Sequence, residues 1–189
     1  MMEEQAYAGV CGLYCGLCPK FQSQAPSRCQ GCHPGAQHDY CSTYRCCVKK
    51  HGHYTCAECA DYPCERLLRL LGVEQALDSF ISHKPALANL ERLRQVGLDS
   101  YLAEQRERRL LLETLLAHYN AGRSMTFYCA ACALVPPALL AQTLTEGAAE
   151  IVARGVAAAD IKARAKIMRE VIELRAAEAG IDLKLRRQK

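Results

Sequence analysis

Eleven of the thirteen cysteines fall in one stretch, CGLYCGLCPKFQSQAPSRCQGCHPGAQHDYCSTYRCCVKKHGHYTCAECADYPC, from Cys11 to Cys64. Between them lie too few large apolar residues to bury a core, so thiol chemistry must hold the segment: disulfides or metal. The opening residues MMEEQAYAG are acidic and lack an apolar run, so no signal peptide is expected. No window approaches the roughly 20 apolar residues of a membrane span, which predicts a cytoplasmic chain without membrane contact. Cytosolic thiols stay reduced, and thirteen is odd, so full intramolecular pairing is excluded. Metal is the better reading.

Cys15-x2-Cys18 and Cys29-x2-Cys32 are two close pairs ten residues apart. A C-x2-C turn brings two sulfurs to one side of a knuckle, where backbone N–H groups can donate to them. Two facing knuckles give the tetrahedral sulfur shell that zinc accepts, with Zn–S at about 2.3 Å. Gly16, Pro19, Gly31 and Pro34 supply the permissive and stiff positions of such turns. Cys56-x2-Cys59 is a third pair, with Cys41 and Cys46 as the looser half of a second shell. Adjacent Cys46 and Cys47 seldom both bind one ion, which leaves Cys47 as the spare. Cys64 stands at a predicted helix start, where the dipole favours a thiolate. Cys11 precedes Cys15 by four and can replace an expected ligand.

Two Zn2+ ions per chain are therefore expected, one on Cys15, Cys18, Cys29 and Cys32 and one on Cys41, Cys46, Cys56 and Cys59. Cys11 and Cys64 are the substitutes, and spacing leaves the partition open. His33, His38, His51 and His53 are read as solvated loop residues, because thiols are already in excess. Cys18-Pro19 has the form of an iron–sulfur ligand followed by proline, so a cluster is the alternative cofactor. Cys11-x3-Cys15-x2-Cys18 also has the spacing of radical S-adenosylmethionine enzymes, but no βα barrel pattern follows it. Cys129-x2-Cys132 has redox spacing; its neighbours Phe127, Tyr128, Ala133 and Leu134 make it core instead.

The elements that must position these residues are few. Turn signals crowd residues 11–64, with a short hairpin expected around Tyr44–Val48 and Tyr54. From Cys64 onward the pattern is helical. Helices are predicted over 64–71, 73–82, 85–96 (closed by Gly97), 99–121 (closed by Gly122), from a Ser124 cap to 134, and from the Pro136-Pro137 pair to about 153. The last begins at Asp160 and ends at Gly180. The fold class expected is mainly α: a small cysteine-rich metal-bound module over 1–65, packed on an α-helical domain over 66–189.

Taken together, CGLYCGLCP, CQGC, CSTYRC and CAECADYPCERL resemble the domain of unknown function 3795 family. The matching positions are Cys11, Cys15, Cys18, Cys29, Cys32, Cys41, Cys46, Cys56, Cys59 and Cys64, with Gly12, Pro19, Tyr62 and Pro63 between them. GRSMTFYCAACALVP and the final DIKARAKIMREVIELRAAEAGIDLKLRRQK are similar to stretches of longer members, which have a helical rear. Cys47 and the Cys129/Cys132 pair depart from the pattern. The resemblance implies metal binding and no established reaction.

No catalytic constellation is read: Glu113, His118 and Tyr119 scatter around one predicted helix. Closed four-thiolate sites leave no open position for substrate, so an adaptor or regulatory module with a protein partner is expected. An iron–sulfur redox or electron-transfer protein is the alternative. A nucleic-acid partner rests only on 19 Lys and Arg against 14 Asp and Glu in residues 66–189, without interleaved aromatics. The net charge of +4 adds little, since two ions in eight thiolates move it to about 0.

Overall fold

The computed structural model describes residues 6–33, 38–71 and 77–186, and the chain falls into two compact units. One runs to Arg106 and takes in the chain again from Leu185; the other is Glu107–Lys184. The boundary expected between residues 65 and 66 lies inside the first. The fold is mainly α. Among the described residues there is no strand, only an isolated antiparallel bridge between Ala8 and Tyr14. Among them, too, no helix is long and apolar enough to cross a membrane.

In the first unit the cysteine-rich segment is a chain of single turns. They are 3-10 turns at Cys15–Leu17 and Cys56–Glu58, an α turn at Pro19–Gln22, and Ser42–Tyr44 running straight into a π-helical stretch, Arg45–Lys50. The last two correct the hairpin expected there. A lone two-stranded hairpin would leave both edges without partners. The helical turns satisfy the same backbone groups locally, as in Arg45 N–H to Cys41 O (3.0 Å) and His51 N–H to Cys46 O (3.2 Å).

Helix α1, Glu65–Leu71, starts directly after Cys64, with Glu65 paired to Arg69 one turn on (2.8 Å). The predicted helix over 73–82 does not form in its described part: residues 77–82 are irregular, and 72–76 lie outside the described residues. Asp78 is the reason. Its carboxylate takes the backbone N–H of His83 (2.8 Å) instead of standing on a helix surface. Helix α2, Ala86–Tyr119, is broken at Gly97 (φ 78°, ψ 167°), so it has two arms, as the glycine predicts. Arg92 and Glu104 pair across the break.

The cysteine-rich segment does not rely on thiols alone. Val10, Tyr14 and Leu17 are buried in the same unit as Leu67, Leu71, Ile81, Ala86 and Leu90. Each such aliphatic side chain contributes about 1.5–3 kcal/mol on burial. Gly12 fixes how the segment meets α2. Its φ is +82°, and a Cβ there would drive into the Ala86 carbonyl oxygen and Leu90 Cγ. Only glycine allows that approach. Asn89 Nδ2 then donates to the Gly12 carbonyl (2.7 Å) in a buried bond, and the Tyr62 hydroxyl to the Leu87 carbonyl (3.3 Å).

The second unit holds the end of α2 together with α3 (Met125–Leu134), α4 (Pro137–Ala153) and α5 (Ile161–Glu178). Pro137 opens α4 and the Asp160 carboxylate caps α5 through Ala163 N–H (3.0 Å), both as predicted. Ser124 stands at the head of α3, but its side chain makes no capping bond. Arg108 closes the other end of α3, donating to the carbonyls of Cys132 (2.7 Å) and Val135 (2.9 Å). Helices α4 and α5 run antiparallel, since Glu146 pairs with Arg175 and Arg154 with Glu170. Gly147 lets Met168 lie close between them.

Candidate metal centre

No disulfide joins any of the thirteen cysteines, all of which lie among the described residues. The sulfurs of Cys11, Cys18, Cys29 and Cys32 are served by backbone donors, which the tight turns aim. The N–H of Leu13 points at Cys11, those of Lys20 and Phe21 at Cys18, and that of Val10 at Cys32. Gly31 N–H reaches Cys29 Sγ at 3.4 Å. Val10 links two turns, because its carbonyl also accepts from Cys56 N–H (2.8 Å). The Cys56–Glu58 turn is fixed from below by the Glu58 carboxylate, which takes the N–H groups of Tyr54 (3.1 Å) and Thr55 (3.0 Å).

The first expected quartet is present as two couples. Cys15 bonds to Cys32, while Cys18 lies near Cys29. Cys29 in turn lies 3.4 Å from His38 Nε2. Of the second quartet, Cys46, Cys56 and Cys59 line one cavity with Cys47 and Cys64. Cys41 is not on its wall and lies instead close enough to Cys11 for their charges to interact. Cys11 also senses Cys32 and Cys56, so it sits between the two groups. Among the described residues, no three His, Cys, Asp or Glu side chains converge on a common point suited to an ion. In chemistry the donor set fits a soft divalent cation: closely coupled thiols with N–H donors directed at sulfur.

The couples share protons. The Cys15 thiol is pushed well up, first by its bond to Cys32 and then by burial; Cys32 is lowered to about 7 by the same bond, against burial, with help from Val10 N–H. The Cys56 thiol is raised by its bond to Cys47 and by burial. Burial also raises Cys11 and Cys18, although backbone N–H groups oppose it in both.

The histidines are less uniform than expected. His51 is exposed. His33 stacks face to face on Tyr54 with centroids 3.8 Å apart, and burial lowers its pKa. His38 is the residue that spacing undervalued, since only folding brings it to Cys29. Cys129 and Cys132 lie in the second unit, 1% and 0% exposed, and burial pushes Cys132 up to about 12. They are core, as expected.

Residues 7–69 match the model of a family described as Protein of unknown function (DUF3795), the family the cysteine spacing resembles. The match starts before Cys11 and ends in α1; the later stretches similar to longer members lie outside it. No curated protein and no solved structure matches the chain.

Proposed function

We propose that the segment of this chain matching DUF3795 is a zinc-binding module whose thiolates come from Cys11, Cys15, Cys18, Cys29, Cys32, Cys41, Cys46, Cys56, Cys59 and Cys64. The observation that carries this is the set of backbone N–H groups aimed at sulfur: Leu13 at Cys11, Lys20 and Phe21 at Cys18, Gly31 at Cys29 and Val10 at Cys32. Such donors stabilise a sulfur chiefly when it bears negative charge, as it does on a metal. Bound zinc would supply cross-links that neither the short turns nor disulfides provide. The residues of the chain present the sulfurs, neutralise part of their charge through N–H groups and exclude water.

The module serves as an adaptor or regulatory element in a reducing, cytoplasmic setting. Closed thiolate shells offer a substrate no open position, which favours a protein partner over a reaction. Elemental analysis of protein purified without oxygen tests the assignment: two zinc per chain are expected. Stoichiometric iron with acid-labile sulfide would replace zinc by the redox alternative. Absence of both metals would overturn metal binding altogether.

A further inference from the structure

We propose that the groove between α4 and α5 is the face on which two copies of this chain pair around a two-fold axis. The groove encloses about 360 Å³ and lies wholly in the second unit, between Glu146, Glu150 and Arg154 of α4 and Glu170, Leu174 and Arg175 of α5. Leu174 stands in it 57% exposed, while Met168 and Ile172 of the same helix are buried. An apolar side chain inside a charged rim is how contact surfaces are built. The face contains no cysteine, and its pairing does not depend on bound zinc.

The charges name the occupant. Glu146 of α4 pairs with Arg175 of α5 at one end of the groove (2.7 Å), and Arg154 of α4 pairs with Glu170 of α5 at the other (3.3 Å). The sign on each helix therefore reverses from one end to the other, and the four corners alternate in charge. Exposed pairs of this kind add little to the stability of one copy. Their worth lies in what they select. Turning a second copy by 180° about an axis along the groove lays its α5 over the first copy's α4. Glu146 of each copy then faces Arg175 of the other, and Arg154 faces Glu170. Leu174 comes over the small, exposed Ala149 of α4. An axis across the groove would set Glu150 against its own equivalent, and a diagonal one would oppose Glu to Glu and Arg to Arg. Like-charge repulsion rules out both. Such a self-complementary face closes at two copies. With 17 and 18 residues, α4 and α5 are each about 26 Å long and together about 20 Å wide, a face of roughly 500 Å² per copy. That is the low end of specific interfaces, so the dimer is weak and reversible.

Sedimentation equilibrium of the full chain, kept reduced and free of oxygen, tests the pairing between about 10 μM and about 1 mM. The apparent mass is expected to climb from 20.9 kDa towards twice that value, and less steeply at high salt. Leu174→Ser, at an exposed position, is expected to keep its helicity and to weaken association roughly tenfold. Glu146→Arg with Glu170→Arg makes all four corners positive, and Arg154→Glu with Arg175→Glu makes all four negative. Each double variant is expected to stay monomeric alone, and the two to pair when mixed, which a merely structural set of ion pairs would not bring about. Circular dichroism checks that both keep their helices; should one lose them, Leu174→Ser decides. A parent that stays at 20.9 kDa leaves the groove to another partner and overturns the self-pairing. So does a Leu174→Ser chain that associates like the parent, or folded double variants that ignore each other.

Discussion

Asp78 and Arg186, 108 residues apart, hold each other by backbone and side chain at once. Asp78 N–H donates to the Arg186 carbonyl (3.0 Å), and Arg186 N–H returns to Asp78 Oδ2 (2.7 Å). The guanidinium adds Nη2 to Oδ1 at 2.8 Å. The Asp78 side chain is 0% exposed, so the carboxylate depends on these donors for its charge. Burial alone would raise it; the Arg186 side chain and N–H, with the N–H of His83, outweigh burial and hold it below the ordinary carboxylate range.

The sign of the pH dependence follows. A carboxylate lowered in the folded state contributes stability that is complete above its unfolded pKa of about 4 and is lost as pH falls through the folded value. Burial also lowers His83, which faces both Asp78 and Arg186, so folding opposes its protonation and stability declines as pH falls below about 6.5. Urea midpoints should therefore drop in two stages between pH 7.5 and 3. His83→Gln is expected to shrink the upper stage, to which His33 and His38, whose pKa burial also lowers, contribute the rest. Asp78→Ala should cost about 3 kcal/mol at pH 7 and flatten the lower one. An unchanged acid limb in that variant would count against the pairing.

Gly12 and Gly97 have nearly the same left-handed φ, +82° and +78°, but only Gly12 has atoms where a Cβ would go. Gly97→Ala should cost about 1–3 kcal/mol, the conformational penalty alone, because φ 78° with ψ 167° is a backbone region kept essentially to glycine. Gly12→Ala should cost a further 1–3 kcal/mol, roughly, for crowding against Ala86 and Leu90. Thermal denaturation of the two variants side by side measures the difference.

Removing metal with a strong chelator under reducing conditions should make the thiols between Cys11 and Cys64 reactive. Protease sensitivity is expected to extend towards Arg106, because Val10, Tyr14 and Leu17 share their unit with α1 and the first arm of α2. Helicity of residues 107–184 should survive, for Leu112, Leu115, Tyr128, Leu140, Met168 and Ile172 are buried there independently of any sulfur site. Circular dichroism that collapsed in step with metal loss would contradict this.

Changing Cys129 and Cys132 together to Ala should leave metal content as it is and cost on the order of 1–2 kcal/mol for the small cavities. Both thiols are buried, and Cys132 is pushed up to about 12, so alkylation of the native protein near neutral pH should be slow there. Loss of a metal equivalent would make them ligands; rapid labelling would make them a working thiol pair.

Local signals in the sequence were legible because their causes are local. Gly97 interrupts α2, Pro137 opens α4 and Asp160 caps α5, each through its own backbone or a residue three positions on. The reading failed where a distant residue decides. Asp78 was placed on a helix because its partner Arg186 lies 108 positions away, and the Tyr44–Val48 hairpin had no third strand to support it. The cysteine set itself stood out by density, but which sulfurs meet did not. That Cys15 bonds to Cys32, or Cys47 to Cys56, follows from turns folding onto Val10, which no C-x2-C count contains.

The interruption at Gly97 also divides α2 as a cooperative object. Helical order propagates along a ladder of i to i−4 bonds, and a left-handed residue stops that ladder. Each arm must therefore open and close on its own account. Amide exchange in 86–96 will follow the fortunes of the sulfur-rich turns resting on Ala86 and Asn89, while amides past Arg106 exchange at a rate set by the second unit. One continuous helix in outline, α2 is two clocks in time.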